Sequence, residues 1–397
     1  MNVFASGRNA AAPGLAALPM LSVHDDPRPV ESLWRDFEAD AVGHVFACYD
    51  WATAWLDAVG AAEGLAPRVV VAEQPDGRPA AIMPLVIRDT GRMRRLEWAG
   101  DQLADYHGGL FDSGFLADLA ADSERFAGFF AGLLDALDDI DLVGFKRQPA
   151  TLGGLANPFR ALPSFPTASY AHAAHLGPDW SAYYEMKRRK GWRRTDRRKA
   201  ERMAEHGEIS FVTAKDDATA TAILDVLFEQ KREGLARIGV ADMFAPPGVR
   251  DFYRALARRP WPDGPAHLCA LYCGDRIVAT NFGLIRGDTY YYVLHAYDPG
   301  AFAEYSPGRQ LMYELMQWCI ARGIPRLDFT IGDESYKDNW CNETLELFDS
   351  VLPVTLRGRA AAASRRLTEQ AKRTIKTTPS LWAAAQTLRR GVKAIKS

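Results

Sequence analysis

The stretch HLCALYCGDRIVATNFGLIRGDTYYYVLHAY, residues 267–297, decides the fold. It consists of three largely apolar runs separated by the dipeptides Gly274-Asp275 and Gly287-Asp288. A Gly-Asp pair between runs rich in β-branched and aromatic residues is typical of a two-residue hairpin turn. The stretch therefore predicts an antiparallel meander whose three strands cover residues 267–273, 276–285 and 289–297.

The residues after this meander predict a crossover. Residues 309–322 carry apolar side chains at the 3.6-residue spacing of a helix, and Gly323 and Pro325 end that helix. Residues 326–331 then alternate apolar and polar side chains, as a strand does. Three hairpin-linked strands, a helix and a further strand form a distinctive order.

Both halves of the chain follow this order. In the second half, a basic helix over 181–206 and a strand over 209–213 precede helices over 218–237 and 248–258. In the first half, the expected elements are a helix over 51–59, a hairpin of 67–73 with 79–87, strands at 93–98 and 140–145, and a helix over 116–137. Four prolines and two glycines within 149–166 indicate a connector.

A chain of 397 residues is long enough for two lobes. Its 48% hydrophobic and 25% charged residues exclude a disordered protein, and no apolar run is long enough for a transmembrane helix. We expect an α+β protein with these segments: a disordered leader (1–29), an N-terminal lobe (30–148), a connector (149–179), a C-terminal lobe (180–356) and a basic helical tail (357–397).

The charge of the chain is strongly segregated. Residues 357–397 contain 11 basic residues and one acid, Glu369, whereas the rest of the chain has a net charge of −12. Basic helices with Trp or Leu side chains suit an anionic membrane surface. We therefore expect peripheral contact between this tail and a membrane; a solvated tail and a tail docked on the acidic body are the alternatives.

Three stretches carry a resemblance to a known superfamily: the basic helix within YYEMKRRKGWRRTDRRKAERMAEHG (183–207), YSPGRQL (305–311), and DFTIGDESYK (328–337). The chain resembles the GNAT acyltransferases, in particular the CelD-type branch associated with cellulose and exopolysaccharide biosynthesis, which is related to the Fem peptidyltransferases. The resemblance covers 183–352 well and the first half more loosely. It implies two GNAT-like lobes with mixed central sheets, a tandem GNAT or Fem-like architecture.

The resemblance also implies an acyl-CoA donor, most simply acetyl-CoA. The start of a helix favours a pyrophosphate because its free N–H groups and dipole attract anions. Ser306, Gly308 and Arg309 lie at that place and are the expected cofactor-binding residues. Ser306 stands where the family usually has a glycine and Ala303 where it has Arg or Gln. The simpler alternative is that Ser-Pro-Gly is only the turn before a helix.

The expected catalytic residues are Asp328, Tyr336 and Lys337. Asp328 alternates with apolar neighbours, so it is either a base that lines a cleft or a carboxylate paired with a nearby arginine. Tyr336 and Lys337 match the Tyr-Lys of the family, where Lys337 would neutralise an oxyanion or a substrate phosphate. The expected substrate-binding residues are Asp105, Tyr106, His295 and Asp333, with core packing or solvent exposure as the alternative.

The sequence thus predicts a cytoplasmic acyltransferase, with the inner membrane surface as a further location, that acts on an amine or hydroxyl of a saccharide or another small molecule. An aminoacyl-tRNA-dependent, Fem-like transferase and a non-catalytic accessory subunit of a polysaccharide synthesis machine are the alternatives. We expect no metal, because His172 and His175 have no third ligand nearby. The basic helix alone does not predict nucleic-acid binding in a chain of net acidic charge.

Overall fold

The structure is a computed structural model that describes residues 17–137, 139–360 and 362. The strands are β1 (Met20–His24), β2 (Ala66–Glu73), β3 (Pro79–Asp89), β4 (Arg94–Trp98), β5 (Leu110–Phe111), β6 (Leu142–Pro149), β7 (Thr151–Leu152), β8 (Leu155–Ala156), β9 (Ser164–Pro166), β10 (Ala171–His175), β11 (Ile209–Thr213), β12 (Ala266–Cys273), β13 (Arg276–Arg286), β14 (Thr289–Tyr297), β15 (Arg326–Ile331), β16 (Glu343–Leu345) and β17 (Leu347–Pro353). The α-helices are α1 (Glu31–Glu38), α2 (Tyr49–Trp55), α3 (Ser113–Ala121), α4 (Ser123–Ala136), α5 (Trp180–Lys187), α6 (Lys190–Ala204), α7 (Asp217–Arg237), α8 (Val249–Ala257) and α9 (Pro307–Ala321).

Two mixed sheets form the centres of the two lobes, which confirms the α+β, two-lobed prediction. The first has the order β1-β2-β3-β4-β6-β17-β9, with β5 on β3, and the second has the order β11-β12-β13-β14-β15-β10-β16. Each sheet begins with an antiparallel meander of four strands. Each then receives a strand parallel to the last one, β6 beside β4 and β15 beside β14, after a helical crossover. The two lobes therefore repeat one topology.

In each sheet, the strand that lies beside the crossover strand comes from outside the lobe to which that sheet belongs. In the first sheet this strand is β17, which comes from the end of the second lobe and pairs with β6. In the second sheet it is β10, which comes from the segment between the lobes and pairs with β15. The predicted boundaries at 149–179 and 180–356 are wrong here, because a connector strand completes the second sheet and a C-terminal strand completes the first.

The predicted leader is also wrong in part. Met20–His24 pairs along its whole length with β2, so the described end of the 1–29 segment is an edge strand of the first sheet. Residues 1–16 lie outside the described residues. The predicted tail is described only at 357–360 and 362, so the expectation for its helices lies outside the described residues as well.

Several predicted helices are divided or shifted. The basic helix over 181–206 consists of α5 and α6. The helix over 116–137 consists of α3 and α4, because Asp122 accepts hydrogen bonds from two backbone N–H groups of α4 and starts a new helix. Residues 51–59 belong to α2 and a following π-helical turn, Leu56–Gly60. The meander strands and β15 agree with prediction within one residue.

A continuous apolar core joins the two lobes. One buried cluster contains Trp51 and Trp55 of the first lobe together with Phe228, Phe252 and Phe282 of the second. The edge of the Phe46 ring meets the face of Tyr291 across the junction, with 5.7 Å between ring centroids. Within the described residues, no helix is both long and apolar enough to cross a bilayer.

Candidate functional site

A gap opens between two neighbouring strands of the second sheet. β14 and β15 pair in parallel only from Thr289 to Tyr291, opposite Arg326 to Asp328. Beyond this point β14 remains paired with β13 as far as Tyr297, and β15 remains paired with β10 as far as Ile331. The two strands therefore diverge, and in the described part of the chain the backbone groups that face the gap have no strand partner.

A cleft of about 250 Å³ lies at this gap. Its lining comes from three elements: the end of β14, the start of α9 and the loop after β15. The lining residues are Tyr292, His295, Tyr297, Ala303, Ser306, Gly308, Arg309, Met312, Tyr336 and Trp340. The structure thus brings together the three residues expected to bind a cofactor with His295 and Tyr336.

The start of α9 has an unusual backbone. Ser306 adopts the left-handed conformation, with φ 59° and ψ 52°, and Pro307 follows as the first helical residue. The Ser306 hydroxyl does not cap the helix but accepts a hydrogen bond from Lys199 Nζ at 2.8 Å. A Cβ on Gly308 would lie 3.3 Å from the Tyr297 ring. A cation, the N-terminus of a helix and a residue without a side chain therefore meet at one end of the cleft.

Arg309 belongs to a buried polar network at the side of this cleft. Its guanidinium donates to Asp196 Oδ1 at 3.0 Å, and Asp196 also accepts hydrogen bonds from Arg188, Tyr184 and Tyr313. Burial opposes ionisation of Asp196, but the hydrogen bonds from Arg188, Tyr313 and Arg309 together hold its pKa below the usual value. Arg309 therefore joins α9 to α6 as well as lining the cleft.

Asp328 lies at the junction of the two lobes rather than in the cleft. It is 1% exposed and accepts from the Tyr106 hydroxyl of the first lobe at 2.6 Å. It also accepts from Arg326 at 3.0 Å and from the Thr330 backbone N–H at 2.8 Å. Burial raises the pKa of Asp328 although Arg326 opposes the shift. Of the two roles considered for Asp328, this arrangement is that of a carboxylate paired with a neighbouring arginine.

Lys337 is buried beneath the end of β15. Its Nζ donates to the carbonyl oxygens of Thr330 and Ile331, both at 3.2 Å, and lies 3.0 Å from Glu334. This places the ammonium group where it holds the backbone after β15 and not in the lining of the cleft. Asp333 of the same loop accepts from the backbone N–H of Tyr170 at 3.1 Å, so it links this loop to the strand segment beside it.

Asp105 of the first lobe also reaches this junction. Its carboxylate is buried and interacts with the Thr330 side chain, Arg147 and Lys337. Burial raises the pKa of Asp105 to about 6, and nearby Asp328 adds to the shift. Thr330 itself has a φ of 60°, which is strained for a β-branched residue. A carboxyl group with a raised pKa therefore lies beside a strained residue at the junction, although Asp105 is not among the residues that line the cleft.

His295 and Tyr336 are both neutral at the cleft. Burial lowers the pKa of His295 to about 3, and Lys231 and Lys337 contribute. Burial also raises the pKa of Tyr336, with a smaller contribution from Glu334. His295 stacks on Tyr292 with 5.0 Å between ring centroids, and Tyr336 lies edge-on to His295 at 6.1 Å. The cleft therefore offers a phenol that can donate a proton and an uncharged imidazole.

Across residues 17–137, 139–360 and 362, the structure contains no cluster of three His, Cys, Asp or Glu side chains that could bind a metal.

Residues 190–338 match the family model described as the acetyltransferase (GNAT) domain. A search of curated proteins found no match to this chain. Among solved structures, FemX aligns with 84% of this chain and 97% of its own, with 11% identity and a TM-score of 0.57. The C-terminal domain of a protein assigned as a lysylphosphatidylglycerol synthetase, from Agrobacterium fabrum, aligns with 87% of this chain and 96% of its own, with 13% identity and a TM-score of 0.50.

At these identities the two structures are similar to this chain in fold. The matched family model covers the second meander, α9, β15 and the loop that carries Tyr336, which are the elements around the cleft. Residues 190–338 are therefore similar to the acetyltransferase (GNAT) domain family, and the two-lobed fold around them is similar to that of FemX.

Proposed function

We propose that the protein transfers an acyl group, most simply acetyl, from acyl-CoA to an amine or hydroxyl acceptor. The observation that carries the proposal is the cleft that runs from the gap between β14 and β15 to the start of α9. Backbone groups of the diverging strands that have no strand partner can bond the amides of the pantetheine arm. The helix start with Lys199 provides positive potential for the pyrophosphate.

Asp105 and Tyr336 would carry the proton transfers. Asp105, ionised above pH 6, accepts the proton of the acceptor as its nitrogen or oxygen attacks the thioester carbonyl. The tetrahedral intermediate then collapses, the carbon–sulfur bond breaks, and the Tyr336 hydroxyl donates a proton to the departing thiolate. His295, being neutral, would position Tyr336 or the acyl group.

The acceptor would enter between the lobes, where Asp105 reaches the end of β15. We propose a saccharide, such as a precursor of an envelope polysaccharide, on the basis of the CelD-type motifs in the sequence. A Fem-like transferase that uses aminoacyl-tRNA and a non-catalytic accessory subunit are the competing functions.

Acetyl-CoA should raise the melting temperature of the protein if it is the donor, because a ligand that binds only the folded state stabilises that state.

Replacing Gly308 by valine should weaken CoA binding by tenfold or more, which corresponds to a loss of about 1.4 kcal/mol. The added side chain meets Tyr297 and fills the place where backbone must approach phosphate. Gly234→Val is the matched control, since Gly234 is also helical but a Cβ added there would have no neighbour within 4 Å. Isothermal titration calorimetry with CoA would measure both.

The control separates a blocked site from a weakened helix. Equal CoA affinity in Gly308→Val and the wild type would place the donor elsewhere. No thermal shift of the wild type at about millimolar CoA, together with acyl transfer from a charged tRNA, would favour the Fem-like function.

We further propose that residues 357–397 bind an anionic membrane surface, on the basis of their net charge of +10. The full chain should sediment with anionic vesicles at low salt and be released at high salt, because screening weakens contacts between exposed charges. A chain ending at Leu356 should remain in the supernatant. Equal sedimentation of both chains would exclude the tail as the membrane contact.

A further inference from the structure

A second and larger concavity lies between α5, α6 and α9, outside the proposed donor cleft. This α5–α6–α9 groove has a volume of about 710 Å³. Its lining residues are Trp180, Ser181, Tyr184, Glu185, Lys190, Arg193, Arg194, Asp196, Arg197, Ala200, Gln310, Tyr313, Glu314 and Gln317. The volume is sufficient for a small-molecule ligand.

The groove is lined by four cations, Lys190, Arg193, Arg194 and Arg197, and by three acids, Glu185, Asp196 and Glu314. Arg193 pairs with Glu185 at 2.7 Å. Lys190, Arg194 and Arg197 have no acidic partner among residues 17–137, 139–360 and 362, although they line the same concave surface. Glu185 and Asp196 are engaged in ion pairs with arginines, so three cations without an acidic partner remain beside Glu314. An excess of cations in a concave surface attracts ligands of the opposite sign. The groove therefore favours an anion.

The start of α6 adds to this potential. The helix begins at Lys190 with no side-chain cap and no acid in its first turn. In contrast, α3, α4, α5 and α7 each begin after an aspartate that accepts a backbone hydrogen bond. Cations are unfavourable at the start of a helix, because the helix dipole places its positive end there. A bound anion would offset both the charge of the cations and the positive end of the dipole.

An aromatic wall lies beside these cations. Trp180 and Tyr184 are half-buried and stack with 5.1 Å between ring centroids and 21° between planes. The Tyr184 ring is nearly parallel to that of Trp340, which lines the donor cleft, so one aromatic wall separates the groove from that cleft. Aromatic faces and guanidinium groups together suit a nucleobase next to its phosphates.

We infer that the α5–α6–α9 groove binds a nucleoside phosphate. Two sources share this chemistry: the phosphorylated adenosine end of the CoA donor, reaching past the shared wall, and a separate nucleotide that carries the acceptor. The first source rests on the function proposed above, whereas the second does not require CoA.

Adenosine 3′,5′-bisphosphate is the probe, because it is the nucleotide end of CoA without the reactive arm. Calorimetry should show that Arg194→Ala with Arg197→Ala weakens its binding by about a hundredfold, since each charged hydrogen bond lost costs about tenfold. Arg198→Ala is the control: Arg198 lies on the same helix but does not line the groove, and its substitution removes one positive charge where the double variant removes two. This control should bind as the wild type does.

Competition identifies the source. If CoA fills the groove, the bisphosphate should not bind CoA-saturated protein, and the double variant should bind CoA more weakly than the wild type. If the nucleotide is separate, the bisphosphate should bind CoA-saturated protein.

Gly308→Val keeps this test independent of the donor cleft, because it should lose CoA and retain the bisphosphate. No binding of the bisphosphate to the wild type at about millimolar concentration would overturn the inference. Equal loss of affinity in Arg198→Ala and in the double variant would also overturn it, since the attraction would then be unspecific. An RNA hairpin that binds with the same variant pattern while the bisphosphate does not would assign the groove to a macromolecule instead.

Discussion

Asp105→Asn should lower turnover by about 10²–10⁴-fold, the range by which a general base contributes. The amide keeps the size of the carboxyl group but cannot accept the proton of the acceptor. Turnover is measured by thiol release from acetyl-CoA with an amine or saccharide acceptor. Asp101→Asn is the control, because Asp101 lies in the same loop but pairs with Lys146 at 2.9 Å. Full activity of Asp105→Asn would exclude this base.

The same substitution should alter the pH dependence in two ways. In the wild type, kcat/KM should rise as pH increases through about 6, where Asp105 ionises, and this rise should vanish in Asp105→Asn. The raised pKa also means that the folded state binds the proton more tightly than the unfolded state. The protonated carboxyl therefore contributes to the free energy of unfolding at low pH, and this contribution is lost as pH increases through about 6.

Asparagine does not titrate, so the melting temperature of Asp105→Asn relative to the wild type should increase between pH 5 and pH 7.5. A residue kept for chemistry at the expense of stability shows this combination of lower activity and higher relative stability. A melting difference that does not vary with pH would argue that the Asp105 carboxyl titrates normally.

Asp328→Asn should lower the free energy of unfolding by about 1–3 kcal/mol, the cost of leaving buried hydrogen-bonding groups unsatisfied, because Arg326 keeps its pair with Glu343. The carboxylate accepts from Tyr106, Arg326 and a backbone N–H, and an amide can replace only part of this set. Urea unfolding measures the loss. Asp225→Asn is the control, because its pair with Arg254 is exposed and should contribute less than about 1 kcal/mol.

A double-mutant cycle with Tyr106→Phe tests whether the two lobes are coupled at this point. The hydroxyl and the carboxylate lie 222 residues apart in sequence and 2.6 Å apart in space, so the two substitutions should not be additive. If Asp328→Asn instead unfolds like the wild type and loses turnover, then the first hypothesis for Asp328, a catalytic base, would regain support.

Local features of the fold could be predicted from the sequence. The Gly-Asp turns fixed the meander from residue 267 to residue 297, because a two-residue turn leaves little freedom in strand pairing. The exchange of β10 and β17 could not be predicted. Each is a short strand of mixed polarity that would suit either sheet, and its pairing depends on contacts far away in sequence.

The candidate site was predictable to a similar degree. Ser306, Gly308, His295 and Tyr336 meet at one cleft because α9 and the loop after β15 directly follow strands whose order was evident. Alternation placed Asp328 opposite the apolar residues of its strand, but it could not reveal that the first lobe covers that side. The role of Lys337 beneath β15 and the environment of Asp105 both depend on this junction, which leaves no local pattern.

The strand exchange has a consequence for synthesis of the chain on the ribosome. When residue 149 has emerged, the first sheet ends at β6. The outer edge of β6 remains without its native partner until β17 is made, about two hundred residues later. β10, which emerges after β7, β8 and β9, has no sheet to join until β15 has been made. The nascent first lobe therefore cannot mature by itself, and both halves would reach their native state together, near the end of translation.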